Sequence, residues 1–269
     1  MSPAVVSTRA GLTAALEPLR ARGSVALVPT MGALHEGHRA LVRRARDLAD
    51  AVVVSVFVNP LQFGAGEDLD RYPRTLAADV EAIGEEKGDL VWAPGVADMY
   101  PDGEPLVRVD PGPVGALLEG ASRPGHFAGV LTVVARLFGA VRPEVAVFGE
   151  KDAQQLSLVR RMASDLDLGV RVESLPTVRE ADGLALSSRN RHLSAVEREA
   201  ALAISRALRS GSLEGARAVL AAEPRLAVDY CELVDPDTFR SVVGPDGLLV
   251  VAARSGATRL IDNAFLSVS

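Results

Sequence analysis

The chain has 269 residues, of which 48% are hydrophobic and 24% charged, with a formal net charge of -6 and a single cysteine. That length supports one large or two modest domains with a substantial core. The acidic balance excludes a general nucleic-acid surface. The lone Cys231 excludes an internal disulfide and fits a reducing compartment, and no apolar run of ~18 residues or basic-then-apolar start marks a membrane span or a secretory leader. The expectation is a cytoplasmic protein with neither nucleic acid nor membrane as partner.

Leu12, Ala15, Leu16 and Leu19 recur at helical spacing between about Thr8 and Arg22, with Pro18 set to kink or end the helix. Val25 to Val28 is a short continuous apolar run of the kind found in buried parallel strands. It leads into Pro29-Thr30-Met31-Gly32-Ala33-Leu34-His35-Glu36-Gly37-His38, after which Ala40, Leu41, Ala45 and Leu48 trace a helix. The decapeptide is therefore a strand-to-helix turn. Gly32 permits a tight bend, Gly37 a close ligand approach, and the helix start presents unpaired N–H groups with a positive dipole end, which is a place for phosphate. His35 and His38, two of the four histidines, fall on one side of its first turn, where imidazole donates to phosphoryl oxygen or, protonated, neutralises developing charge. The bland alternative is a polar loop whose histidines cap the helix. A zinc site is disfavoured, because the histidines are three apart with Gly37 between them.

Ala51 to Val58 reads as a strong buried strand ending at Asn59-Pro60, so the first units should be parallel and right-handed, with ligands beyond the carboxyl ends of the strands near Thr30 and Asn59. A long polar loop from Leu61 to Arg74 carries Gln62, whose amide both donates and accepts, and Tyr72; a helix from about Thr75 to Lys87 and a strand from Asp89 to Trp92 follow. Residues 93–110 form a Pro- and Gly-bearing excursion with no legible role. Arg123 and His126 stand at the start of an apolar helix, able to hold an anion or, equally, to be a solvated cation and a cap. Val145 to Phe148 is a strand, and Gly149-Glu150-Lys151-Asp152 then repeats the strand-to-helix arrangement, with Gln155 one turn later. Lys151 there is placed for a phosphate, whereas a lone Lys-Asp pair is ordinarily a surface ion pair. Residues 176–191 end in Ser187-Ser188-Arg189, two hydroxyls before a guanidinium, on a surface loop. From Ser194 the character changes: a capping-box spacing to Glu197, two Ala-rich helices reaching about Glu223, and strands at 227–234, 248–253 and 258–266 imply a small antiparallel or mixed sheet containing Cys231 as a packed residue.

The decapeptide, with His35-Glu36-Gly37-His38 at its end, closely resembles the signature of the pantothenate synthetase (pantoate-beta-alanine ligase) family of His-x-Gly-His nucleotidyltransferases. Asn59 to Gly64 with Asp68 to Arg74, Arg123 to Val130, Gly149 to Asp152 and Pro176 to Arg191 resemble further segments of that family, in its order. Two departures are Leu186, where the family usually has Met, and Ala153, where many relatives have Tyr after Lys-Asp; the first conserves volume and the second removes no phosphate donor. The resemblance implies a Rossmann-like parallel-sheet nucleotide-binding domain over residues 1–177 and a smaller α+β lid domain over 178–269. It implies condensation of (R)-pantoate with beta-alanine through a pantoyl adenylate, with ATP as co-substrate and Mg2+ present. His38 is the implied proton donor, with His35 beside it at the phosphates. Met31, Gly32, Ala33, Leu34, His35, Glu36, Gly37, His38, Gly149, Glu150, Lys151, Asp152, Val178, Leu186, Ser187, Ser188 and Arg189 are implied at ATP, with Lys151, Ser187, Ser188 and Arg189 also serving catalysis. Gln62 and Gln155 are implied at pantoate, and Asn59, Tyr72, Arg123 and His126 line the same pocket. A homodimer is implied; no protein metal ligand is assigned, and Asp152 is placed to cap its helix or to assist Mg2+ indirectly. The rivals are a nucleotidyltransferase that stops after nucleotide transfer and a nucleotide-binding module without turnover.

Overall fold

The computed structural model describes residues 2–64, 66–67 and 69–267; Ala65 and Asp68 of the long loop, and residues 1, 268 and 269 at the ends of the two expected domains, lie outside the described residues. In chain order the elements are β1 (Ala4–Val6), α1 (Arg9–Arg20), β2 (Val25–Thr30), α2 (Glu36–Leu48), β3 (Ala51–Val56), α3 (Leu76–Glu85), β4 (Leu90–Trp92), α4 (Val96–Met99), α5 (Glu119–Ser122) and α6 (His126–Val141). They continue with β5 (Val145–Gly149), α7 (Ala153–Asp165), β6 (Arg171–Leu175), α8 (Ala195–Leu208), α9 (Leu213–Ala221), β7 (Leu226–Val234), β8 (Gly247–Ser255) and β9 (Thr258–Leu266). Among the described residues, no helix is long and apolar enough to cross a membrane.

The chain divides into two compact units, residues 1–149 with 158–175, and residues 150–157 with 176–269. This differs from a single cut at residue 177 because residues 150–157 are tied to the later segments. Asn263 Nδ2 donates to the carbonyls of Glu150 and Lys151, each at 2.9 Å, and Ser157 Oγ donates to the Asp237 carbonyl at 3.2 Å.

The first unit is built on a six-stranded parallel sheet of order β1-β4-β3-β2-β5-β6. Its central strands are apolar on both faces, as a sheet covered on both sides requires: Val25 to Val28 and Ala51 to Val54 are all fully buried. Ile83 of α3 and Val42 and Ala45 of α2 pack against Val28, Val52 and Val54. From β2 the order runs one way through β3 and β4 and the other way through β5 and β6, so the reversal lies between β2 and β5. In open parallel sheets ligands bind outside the carboxyl ends of the strands at such a reversal.

Two strands are invisible to apolar periodicity for one reason. Both are short and exposed or partly exposed: β1, Ala4-Val5-Val6, has only three residues, two of them exposed, and the edge strand β6 mixes Val172 and Leu175 with Arg171, Glu173 and Ser174. α1 passes Pro18 and ends two residues later, and Thr8 caps it by accepting from the Gly11 N–H at 3.0 Å. The 93–110 excursion contains α4 and buries Met99 and Tyr100.

The second unit is the antiparallel sheet β7-β8-β9 with α8 and α9 packed on it. Ala200, Ala203, Ile204 and Ala207 of α8 bury against Leu249, Val251 and Ala253 of β8; the alanines let helix and sheet approach closely. Ser194 and Glu197 form the expected capping box, the Glu197 N–H donating to Ser194 Oγ at 3.3 Å and the Ser194 N–H to Glu197 Oε2 at 2.8 Å. Cys231 is buried on β7, and burial raises its thiol pKa, as befits a packed residue and not a nucleophile.

Candidate active site

At the carboxyl end of β2 the chain turns through Gly32 at φ +88° and Ala33 at φ +50°, and reaches α2 with His35 as its extended N-cap. Thr30 Oγ1 donates to the Ser55 carbonyl at 2.7 Å and accepts the Gly32 N–H at 3.3 Å, fixing the exit from the sheet. Asp79, in the first turn of α3 and 2% exposed, accepts the Ala33 N–H at 3.1 Å, the Leu34 N–H at 2.8 Å and the Thr75 hydroxyl at 3.2 Å. A Cβ on Gly32 would lie 3.0 Å from Asp79 Oδ2 and from Val56 Cγ1, so glycine is needed here both for its backbone angle and for space. The N–H groups of residues 32–34 are thus committed inward, which narrows the anion-facing donors of the turn to the residues after Leu34.

His35 and His38 come together as the spacing predicts, with ring centroids 4.1 Å apart and planes tilted by 33°. His38 Nδ1 accepts the His35 backbone N–H at 3.3 Å, which places the His38 proton on Nε2. The capping role and the reactive role are therefore compatible: one ring nitrogen closes the helix start and leaves the other as a donor. The Glu36 carboxylate turns away, pairing with Arg39 at 3.5 Å and with Arg43, so its side chain belongs to the α2 surface.

Beyond β3, a second cluster gathers Asn59, Gln62, Arg123 and His126. Asn59 is 1% exposed; its Nδ2 donates to Gln62 Oε1 at 3.0 Å and to the Gly129 carbonyl at 3.1 Å, and its Oδ1 accepts from Tyr100 Oη at 2.8 Å and the Leu61 N–H at 3.3 Å. Gln62 Nε2 rests on Met31 Sδ at 3.2 Å, which joins this cluster to the first turn. Arg123 is held by Glu67 at 2.7 and 2.8 Å and donates to His126 Nε2 at 2.9 Å, leaving His126 Nδ1–H to donate to the Gln62 carbonyl at 2.8 Å. Burial first, and the Arg123 charge second, push the His126 pKa down to about 4. Arg123 and His126 are thus not a pair of free cations awaiting an anion: one is paired and the other neutral, and together they brace the Gln62 backbone. Burial works to raise the Glu67 carboxyl, but the Arg123 hydrogen bond and charge outweigh it and hold the group below its usual range. Tyr72 is buried with its ring edge-on to Phe63, centroids 6.1 Å apart.

In the second unit, Glu150–Asp152 form a 3-10 turn after Gly149 ends β5, with Lys151 Nζ 4.0 Å from Asp152 Oδ2 and Gln155 on the first turns of α7. Val178 and Leu186 meet across a short hairpin, the Leu186 N–H donating to the Val178 carbonyl at 3.0 Å, with Gly183 at φ +94° in its bend. Ser187 then caps a 3-10 turn containing Ser188 and Arg189, its Oγ accepting the Arg189 N–H at 3.3 Å. Asn190 ties that turn back to Glu180 Oε1 at 2.7 Å and to the Ala185 carbonyl at 3.0 Å. Both loops depend on adjacent residues of β9. Asp262, 4% exposed, grips Arg179 of the hairpin at 2.6 and 3.0 Å, and Asn263 holds the carbonyls of Glu150 and Lys151. Among the described residues, no group of three or more His, Cys, Asp or Glu side chains is arranged to hold a metal ion.

Asp79, Tyr100, Asp262 and Asn263 are not legible in the sequence as site residues. The available signal is a polar residue at an apolar position: Asp79 lies four before Ile83 on the buried stripe of α3, and Asp262 interrupts the apolar pattern of β9.

The model of the Pantoate-beta-alanine ligase family matches residues 4–265. A pantothenate synthetase of Nocardioides sp. is 56% identical, over 97% of this chain and 85% of that protein, and one of Leifsonia xyli is 59% identical, over 89% and 88%. The crystal structure of pantothenate synthetase from Thermus thermophilus superposes with a TM-score of 0.91 at 50% identity, covering 97% of this chain and 98% of that one. A pantoate-beta-alanine ligase from Francisella tularensis, complexed with beta-gamma ATP and beta-alanine, superposes at 0.86 with 33% identity, covering 98% and 97%. On sequence and fold together, the chain belongs to the pantoate-beta-alanine ligase family.

Proposed function

We propose that the protein condenses (R)-pantoate with beta-alanine, using ATP and releasing AMP and pyrophosphate, with the residues above in the following roles. A carboxylate is a poor acyl donor because oxide is a hopeless leaving group. Its attack on the α-phosphorus of ATP forms a pantoyl adenylate from which AMP departs easily, and the amine of beta-alanine then attacks the acyl carbon. The protein has little covalent chemistry to perform; it orients reactants and stabilises charge that moves onto phosphate.

The single observation that carries the reading is the stacked pair His35 and His38 at the head of α2, with the His38 proton on Nε2. His38 donates a hydrogen bond from Nε2–H to the departing pyrophosphate and stabilises its growing charge, with His35 and the first-turn N–H groups of α2 beside it at the phosphates. Lys151 and the Ser187-Ser188-Arg189 turn supply cationic and hydroxyl donors to ATP, Asp152 contacts it indirectly, and Gly149, Val178 and Leu186 contribute backbone. Gln62 and Gln155 hold pantoate, with Asn59, Tyr72, Arg123 and His126 supporting that pocket. Mg2+ would accompany the ATP phosphates, where it would supply charge neutralisation, with Asp152 placed to assist it indirectly. The protein works in the cytoplasm as a homodimer, which light scattering of the purified chain tests.

A rival that stops at nucleotide transfer has no use for an amine. With ATP, pantoate, beta-alanine and Mg2+ together, chromatography should find pantothenate and AMP in equal amounts. ADP, or a nucleotide-linked compound left as the end product although the amine is present, would sink the ligase reading.

A further inference from the structure

We propose that Tyr100, carried by the 93–110 excursion, is a positioning residue that sets the donor polarity of Gln62 toward pantoate; this deepens the reading above and rests on Gln62 touching that substrate. The phenol is 5% exposed, its ring lies 6.1 Å from that of Phe57, and the Arg136 guanidinium sits 5.3 Å above it. Its one proton goes to Asn59 Oδ1 at 2.8 Å, and the Leu61 N–H approaches the same oxygen at 3.3 Å. Two donors on one oxygen leave the Asn59 amide a single orientation, with Nδ2 aimed at Gln62 Oε1 and the Gly129 carbonyl. All four hydrogen bonds of the buried amide are then made. Gln62 Oε1 is turned toward Asn59 by this hydrogen bond, so the opposite side of the amide presents Nε2 with its N–H donors, resting on the weak thioether acceptor Met31 Sδ.

A ligand that displaces the thioether must offer an oxygen acceptor, such as the carboxylate or hydroxyl of a hydroxy acid. A flipped Gln62 would present a carbonyl and repel the same carboxylate. The Gln62 backbone is already fixed by His126, so the remaining freedom is the side-chain flip, and Tyr100 removes it through Asn59. Gly129 permits the arrangement, since a Cβ there would lie 2.2 Å from the Leu61 carbonyl oxygen. The 93–110 excursion thereby acquires a role, because it returns one phenol to the base of the substrate site.

The test is Tyr100→Phe in the full chain, measured beside Gln62→Ala and the double variant. The phenyl ring keeps the packing against Phe57 and Arg136 while the hydroxyl is lost. The expected result is a pantoate KM raised about five- to fiftyfold, with the ATP KM changed by less than about twofold and the thermal midpoint near that of the parent. The two substitutions should be non-additive, because Gln62→Ala removes the group Tyr100 acts through. Burial pushes the Tyr100 pKa up to about 12, so the pH profile should not move. An unchanged pantoate KM in Tyr100→Phe, additivity in the double variant, or equal rises in the KM for pantoate and ATP would each overturn the proposal. If Gln62→Ala itself leaves the pantoate KM unchanged, the assignment of Gln62 fails and the relay fails with it.

Discussion

Asp79 Oδ2 accepts the Ala33 N–H at 3.1 Å across 46 residues of sequence, and Oδ1 of the same buried carboxylate accepts the Leu34 N–H at 2.8 Å. One side chain of α3 thereby holds the two residues that join the tight bend at Gly32 to the head of α2. Asp79→Ala leaves two buried N–H groups without acceptors and should lower stability by about 2–4 kcal/mol. Asp79→Asn keeps the shape but turns a donor toward a donor. Both variants should raise the KM for ATP more than that for beta-alanine; steady-state kinetics beside urea unfolding separates the effects, and equal rises would leave Asp79 a purely structural residue.

His38→Ala should cut adenylate formation by about 10²- to 10³-fold and lower the thermal midpoint slightly while circular dichroism keeps the native signature, because the imidazole contributes one hydrogen bond to the leaving group and one helix-start contact. Single-turnover measurement of AMP or adenylate reads this directly. An unchanged rate would remove His38 from the mechanism.

The two loops of the second unit depend on neighbouring residues of β9. Asn263→Ala frees the carbonyls of Glu150 and Lys151, and should weaken ATP binding about tenfold while costing about 1–2 kcal/mol of stability. Asp262→Asn loosens the hairpin through Arg179 and should act in the same direction. Titration with a non-hydrolysable ATP analogue checks both, and an unaltered Kd for both would show that β9 does not set the loops.

Much of this is legible where chemistry is local. The Val25 to His38 stretch announces strand, bend and helix start through its own residue types, and Ser194 with Glu197 announces a cap through spacing alone. What lies beyond sequence is the long-range partner. Asp79, Tyr100 and Asn263 act on residues 46, 41 and 112–113 positions away. Arg123 and His126 are visible as residues, but whether they form a cation pair or a neutral brace depends on Glu67 and on burial. The hairpin that pairs Val178 with Leu186 has only the signature of a loop, because its pairing is confined to a few residues around Gly183.

The neutral His126 has a consequence for pH. Its pKa in the fold is about 4, below the ordinary 6.5, so the unfolded chain binds the extra proton first on acidification. The stability that this neutral form contributes is fully present above pH 6.5 and is lost as pH falls toward 4, on the order of 3 kcal/mol in all. Urea midpoints at pH 7.5, 6, 5 and 4.5 should fall more steeply for the parent than for His126→Gln, which cannot titrate. Parallel slopes would show that His126 carries no such linkage.

The proposed chemistry has an order, in which pantoate and ATP react at this site before the amine enters. Exchange of labelled pyrophosphate into ATP, with Mg2+ and pantoate present and beta-alanine absent, reads that order without any later step. Exchange should depend on pantoate and disappear in His38→Ala. No exchange, together with no AMP after beta-alanine is added, would contradict the adenylate and the ligase reading with it.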